Sequence, residues 1–111
     1  MAVIVRPLIP SKTAEAAQTT QYVAQGITAI IDKFTAINYS ASVATISVHL
    51  VSGGGAAGDA NLVIKTKTLQ PSETYTFPEV VGHVLAPSGF ISTIASAGAA
   101  ISIRASGREV N

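Results

Sequence analysis

The sequence predicts an all-β protein, a single antiparallel β-sandwich of the jelly-roll-like kind with seven or eight short strands. Apolar and polar side chains alternate with a period of two through much of the chain, as in "SVATISVHLV". Turn residues recur about every 8–12 positions, a spacing typical of sandwiches and barrels. The length of 111 residues is that of one domain with its own core.

The first two strands are predicted at 20–24 and 27–38, on either side of the turn residue Gly26. Within 27–38 the apolar residues change parity after Ile31. This change predicts a β-bulge near Asp32–Lys33, which would return the following apolar residues to the core. A strand covered on both faces is the alternative.

The third strand is predicted at 42–51, where strict alternation indicates one buried face and places His49 on the outward face. The segment 79–85 is ambiguous between a strand and one helical turn, because Gly82 weakens a helix. Further strands are predicted at 61–67, 72–77, 90–95 and 100–106.

Residues 1–18 are predicted to form an N-terminal arm, and residues 19–111 the sandwich domain. The arm lacks turn chemistry, and its apolar side chains are expected to add a strand to a partner or to fill its groove. The Ala- and Gln-rich stretch 11–21 allows about two helical turns with Ser11 as N-cap, although an adjacent pair of threonines disfavours a stable helix. The predicted partner-binding residues of the arm are Val3, Ile4, Val5, Leu8 and Ile9.

The composition indicates a surface that is poor in charge. Charged residues make up 12% of the chain, about half the usual ~25%, and the mean hydropathy is +0.44. No apolar run approaches the ~20 residues of a membrane helix, and a net charge of +1 provides no strong field for nucleic acid or an anionic membrane. We therefore expect other subunits, rather than nucleic acid or lipid, to cover part of this surface. An ordinary domain coated with Ser and Thr is the alternative.

A glycine-rich stretch, "SGGGAAGD", contains the spacing G-x-G-x-x-G. A dinucleotide-binding site requires a helix after these glycines, whose N-terminus faces the pyrophosphate. The following "DANLVIKTK" alternates like a strand, and no acidic residue stands about 20 positions on. The stretch is therefore predicted to be a hairpin loop without a nucleotide cofactor, and its proposed partner-binding residues are Gly53, Gly54, Gly55 and Gly58.

No catalytic, cofactor or metal site is predicted elsewhere. Glu79 and His83 have a metal-ligand spacing if they lie on a helix, with His49 as a third ligand, but Gly82 interrupts that helix. The chain has no cysteine and no G-x-S-x-G nucleophile elbow. Tyr39, in the predicted loop "NYSAS", is expected to be exposed and to contact a partner or a sugar ring.

The run "TTQYVAQGITAIIDKFTAINYSASVATISVHLV", the glycine-rich loop and the closing "SGREV" resemble small β-sandwich virion structural proteins of tailed bacteriophages. The resemblance covers roughly residues 19–110. It rests on structural cues such as Tyr22 and Gly26 before an apolar strand, and a turn at Asn38 and Ser40.

The resemblance implies a capsid decoration protein, of the cement or staple type, located on the virion. Its implied partners are the major capsid protein or other virion proteins, together with copies of itself. A tail-associated or receptor-facing component, with or without glycan binding, is the alternative that the resemblance also allows.

Overall fold

Two antiparallel sheets packed face to face make up the fold of the computed structural model, which describes residues 2–111. The predicted β-sandwich is therefore confirmed. In spatial order, the first sheet contains β1 (Val3–Thr13), β9 (Ile101–Val110), β3 (Thr28–Asn38) and β6 (Thr74–Thr76), with β7 (Val84–Leu85) pairing with the first part of β3. The second sheet contains β2 (Thr19–Val23), β8 (Phe90–Ala95), β4 (Ala44–Val51) and β5 (Leu62–Leu69).

The bulge predicted in β3 is confirmed. The pairing of β3 with β9 shifts between Ile31 and Lys33. One extra residue on β3 lets Ile31 and Phe34 both face the core, although they are three positions apart. The intervening Asp32 and Lys33 remain exposed.

Aromatic and branched aliphatic side chains fill the space between the sheets. The rings of Phe34 and Phe77 meet edge to face with centroids 5.0 Å apart, and Tyr75 extends this cluster toward the surface. Burying one side chain of this size completely stabilises the fold by about 1.5–3 kcal/mol. The other large side chains that are completely or nearly completely buried are Ile9, Ile31, Ile46, Leu69, Ile91, Ile101, Ile103, Val48, Val51 and Val80.

The prediction of a separate N-terminal arm is wrong. β1 pairs with β9 from Val3 opposite Val110 to Thr13 opposite Ser102. Leu8 and Ile9, predicted to bind a partner, lie in the core of the chain itself. Without β1, the strand β9 would expose its backbone groups along one side, and sheet completion within the chain satisfies them.

Local propensity is also overridden at two other places. The helix considered for 11–21 is absent, because residues 11–13 belong to β1 and the backbone N–H of Ala14 donates to the Ile101 carbonyl at 2.7 Å. The ambiguous segment 79–85 consists of turns and the short β7, with Gly82 at φ +87°. Within residues 2–111, no helix has the length and apolar character that crossing a membrane requires.

Asn38 connects the two sheets at one end of the sandwich. Its buried Nδ2 donates to the Leu69 carbonyl at 2.9 Å, and also to the Ser42 carbonyl at 2.8 Å. Its Oδ1 accepts from the backbone N–H of Ser40. These bonds satisfy the buried amide and hold the turn between β3 and β4.

Candidate interaction surface

Among residues 2–111, no strand pairs with the outer side of β1, since β1 is the last strand of the first sheet. We call residues 3–6 of this strand the β1 edge. Val3, Ile4 and Val5 are exposed there, Val5 to 77%. An unpaired strand with exposed apolar side chains is a template for pairing with another chain. This location agrees with the expected exposure of these three residues but not with a free arm.

The second half of β1 is protected against such pairing. Pro7 and Pro10 have no N–H to donate. The register against β9 also shifts between Pro7 and Ile9, and again between Ile9 and Lys12. A further strand can therefore form regular backbone hydrogen bonds only with the β1 edge.

The other side of the first sheet ends in β6, β7 and the turns around them, residues 73–85, which we call the β6–β7 edge. Val81 and Val84 are exposed on it, Val84 to 58%. The edge is tied to β3 through backbone bonds, including one from the Gly82 N–H to the Ile31 carbonyl at 2.7 Å. Exposed valines thus occur at both lateral edges of one sheet.

One cross-strand row connects these two edges. Val5 pairs with Arg108, Arg108 pairs with Ile30, and Ile30 pairs with Val84. In the middle of the outer face, the Arg108 guanidinium donates to both carboxylate oxygens of Asp32, from Nη2 at 2.9 Å and from Nε at 3.0 Å. This contact raises the pKa of Arg108. The paired charges occupy the centre, and the apolar ends of the row remain uncovered.

A polar cluster lies on the inward side of the same region. The Tyr22 hydroxyl, from β2, donates to Glu109 on β9, and Arg6 Nη1 is 3.3 Å from the other oxygen of that carboxylate. Burial and the Glu109 carboxylate raise the pKa of Tyr22. The cluster joins the β1 edge to the second sheet and holds Arg6 against its own chain.

The outer face of the second sheet, by contrast, is covered by polar segments of the chain itself. His49 does face outward as predicted, but it is only 7% exposed. Its Nδ1 lies 2.9 Å from Asn61 Oδ1 and 3.1 Å from the Gly58 carbonyl oxygen, so that nitrogen carries the hydrogen. Gln18 covers Ser92 in the same way, with an Nε2 to Oγ bond of 2.8 Å. Internal hydrogen bonds therefore cover His49 and Ser92, and a shallow depression of about 210 Å³ remains open on this face beside the half-buried Ile94.

The glycine-rich stretch is a loop between β4 and β5, as predicted, and the strand after it is β5. A Cβ on Gly53 would lie 2.7 Å from the Ser88 side chain, and Gly54 has φ +83°. Gly55 and Gly58 complete the exposed bend. Glycine at 53 and 54 is therefore explained by close packing and backbone conformation within the chain.

Tyr39 is exposed, as predicted, in the turn after β3. Its hydroxyl lies 3.4 Å from Thr13 Oγ1. Beside it, the outer face of the first sheet has a shallow depression of about 240 Å³. The depression is lined by Ser11, Thr35, Ile37, Ser102, Ile103 and Arg104. Hydroxyls, one guanidinium and an adjacent tyrosine are groups that can contact a sugar.

The structure separates the residues considered for a metal site. His49 lies on the second sheet, whereas Glu79 and His83 lie at the edge of the first. Across residues 2–111, no three potential ligands among His, Cys, Asp and Glu come together.

Sequence reasoning missed the β6–β7 edge. Val81 and Val84 belong to the segment left ambiguous between strand and helix, so no face could be assigned to them. The usable signal was Gly82: a glycine between Val81 and His83, within a short apolar stretch, predicts a bend that exposes the side chains around it.

Comparison with known proteins gives one informative similarity. No protein-family model and no curated protein matches the chain. A solved structure from the Bacillus endospore appendages, described as a novel family of disulfide-linked pili, is similar over 98% of this chain and 88% of that chain. The TM-score is 0.58 and the sequence identity is 13%. At that identity the similarity shows a shared β-sandwich fold.

Proposed function

We propose that this protein is a non-enzymatic structural subunit of a multi-copy assembly, and that the assembly is a phage virion in which it decorates the capsid. The observation that carries the proposal is the β1 edge, an unpaired strand end on which Val3, Ile4 and Val5 are exposed. Such an edge is a hazard for a solitary protein and useful for a subunit.

Three further observations support the assembly role. Charged residues make up only 12% of the chain, so burying much of its surface costs little desolvation of ions. The resemblance to tailed-phage virion proteins supports the viral setting. The pilus subunit that shares the fold is described as part of a disulfide-linked assembly, whereas the 111 residues here contain no cysteine and so form no disulfide with one another.

Binding to purified capsids tests the proposal. The protein is expected to bind particles that lack it, to saturate at a copy number set by the capsid lattice, and to raise the temperature at which the particles release their contents. Val5→Ser is expected to weaken binding. Val43→Ser, which alters a similarly exposed valine in the turn before β4, is the matched control. Capsids that remain bare at saturating protein would refute the decoration role.

A receptor-facing tail component that binds glycan is the second candidate. The depression beside Tyr39, with Ser11 and Arg104 among its lining residues, favours it. This function predicts a few copies per particle at the tail and sugar-dependent quenching of tyrosine fluorescence. Tyr39→Ala is expected to abolish the quenching, whereas Tyr75→Phe, on the opposite edge of the sheet, is expected to leave it.

A further inference from the structure

We propose that copies of this protein join head to tail through the first sheet, with the β1 edge of one copy beside the β6–β7 edge of the next. The proposal rests on the multi-copy assembly described above and identifies the two surfaces that meet in it. The occupant of each edge is a second copy of this chain.

Strand direction permits this contact. β1 runs antiparallel to β9, β9 antiparallel to β3, and β3 antiparallel to both β6 and β7. β7 therefore runs opposite to β1. When a second copy is placed beside the first without being turned over, its β1 edge lies antiparallel to β7 of the first copy, and the sheet continues in its own pattern.

The apolar side chains match across the contact. Nine large apolar residues are exposed in residues 2–111, and five of them lie on these two edges: Val3, Ile4, Val5, Val81 and Val84. Val5 and Val84 end the same cross-strand row, so continuing that row brings Val5 of one copy beside Val84 of the next. Burying valines in this way is favourable by roughly 25 cal/mol per Å².

The charges on the two edges favour this contact over contacts of β1 with the other sheet edges. β1 carries Arg6 and Lys12, and the β6–β7 edge carries Glu73 and Glu79. Within the chain, Glu109 and Glu15 partly offset the two basic residues, but the side chain of Arg6 remains half exposed and that of Lys12 about one third exposed. Opposite charges on the two edges favour their meeting and set its orientation.

The remaining edges of the sandwich are poorer partners for β1. β5 carries two basic residues: Lys65 would repel Arg6 and Lys12, while the Lys67 ammonium lies over the Tyr75 ring, 4.3 Å from its centroid. β2 carries no charged residue. Two β1 edges related by a twofold axis would bring basic residues of the same kind together. Within the described chain, only the β6–β7 edge is acidic on balance.

A head-to-tail contact leaves a free edge of each kind on every oligomer, so association continues beyond the dimer. A twofold contact between two β1 edges would stop at the dimer. Sedimentation therefore distinguishes the two contacts: the head-to-tail contact gives oligomers larger than a dimer, and the twofold contact gives only dimers.

Cross-linking tests the contact directly, because the chain has no native cysteine. Val5→Cys protein and ¹⁵N-labelled Val84→Cys protein are mixed, oxidised and resolved by mass spectrometry. Paired residues in adjacent antiparallel strands have Cα atoms about 4.5–5.5 Å apart, within the range of a disulfide. The mixed dimer is expected to exceed either homodimer about tenfold, the ratio that a preference of about 1.4 kcal/mol produces. The double variant is expected to form a ladder of oligomers.

Controls separate the alternatives. Val43 is nearly as exposed as Val84 but lies outside both edges. The Val43→Cys protein, mixed with either of the other variants, therefore measures the disulfide yield from random collisions. Glu73→Gln combined with Glu79→Gln is expected to lower the yield of mixed dimer, whereas Asp59→Asn, in the loop between β4 and β5, is expected to leave it unchanged. Predominant Val5→Cys homodimers, or a mixed-dimer yield no higher than the Val43→Cys background, would overturn the proposal.

Repeating the cross-linking on capsids that carry the two cysteine variants tests the edge contact and the decoration role independently. Saturable capsid binding without the 5–84 cross-link would reject the edge contact and leave decoration intact. The cross-link in solution, with no binding to any capsid, would reject decoration and leave the contact intact.

Discussion

Residues 3–6 and 8–13 follow one another along the same strand and share the neighbour β9, yet only the second group reaches the core. Ile9 is completely buried, whereas Val5 is 77% exposed. Both are aliphatic β-branched residues, so hydropathy does not distinguish them. The difference arises because Val5 lies opposite Arg108 on the outer face, whereas the register shift between Pro7 and Ile9 turns Ile9 inward, opposite the buried Ala105. One half of the strand completes this sandwich, and the other half remains available to a partner.

Truncating a side chain in the buried half of β1 is expected to have the largest effect on stability, and it tests the difference between the two halves most directly. Ile9→Ala is expected to lower the free energy of unfolding by about 2–5 kcal/mol, because it removes buried methyl groups and leaves a cavity. Urea unfolding followed by circular dichroism measures the loss. A cost below 1 kcal/mol would mean that β1 is an appended arm, as the sequence alone suggests.

Gly107 lies where the two halves meet, opposite Arg6 in the strand pairing. An added Cβ would overlap the Ile30 carbonyl oxygen and approach Leu8 Cδ1 to 2.8 Å. Gly107→Ala is therefore expected to cost about 1–3 kcal/mol through overpacking, and to loosen β1 from β9.

Thermal unfolding measures this cost, and hydrogen exchange of the β1 amides reports the loosening. Gly98→Ala is the control, since a Cβ there meets no atom within 4 Å. Equal stability of the two variants would contradict the close packing of β9 against β3 and β1.

The Tyr22–Glu109 contact tests how the exposed half of β1 is held, because this contact and Arg6 join that half to the second sheet. The raised pKa of Tyr22 means that the folded state holds this proton more tightly than the unfolded chain, whose tyrosine ionises near 10.0. The contribution is therefore complete below pH 10 and is lost as the pH rises from there toward the folded pKa. Tyr22→Phe is expected to cost about 1 kcal/mol near neutral pH and to flatten the decline above pH 10.

Urea unfolding of both proteins across this pH range tests the prediction, since the two proteins differ only in the Tyr22 hydroxyl. Tyr39→Phe is the control for loss of a tyrosine, because its hydroxyl lies beside Thr13 Oγ1 rather than beside a carboxylate. If stability falls above pH 10 just as steeply in Tyr22→Phe, groups other than Tyr22 cause that loss.

Truncation in the exposed half has the smallest expected effect on folding. Val5→Ala is expected to change the free energy of unfolding by less than about 0.5 kcal/mol, because the side chain already contacts water. The same variant is expected to lower self-association in sedimentation velocity. A stability loss near that of Ile9→Ala would show that both halves belong to the core.

Patterns local to one strand were predictable. The parity change after Ile31 identified the bulge, and the alternation around His49 identified its outward side. The burial of His49 was not predictable, because it depends on Asn61 and Gly58, contributed by a loop on the far side of the glycine-rich stretch. The two valines of the β6–β7 edge were missed because turns carry no periodic signal.

By itself, the sequence determined that this chain forms short antiparallel strands in a sandwich, because side-chain alternation is a local property with a period of two. It also determined that Val3, Ile4 and Val5 are apolar and Tyr39 is exposed in a turn. Only the tertiary structure decided which apolar residues of β1 the chain buries and which two edges of the first sheet remain open. Those outcomes depend on pairing between residues about a hundred positions apart, as in Val3 with Val110, and no local pattern encodes that pairing.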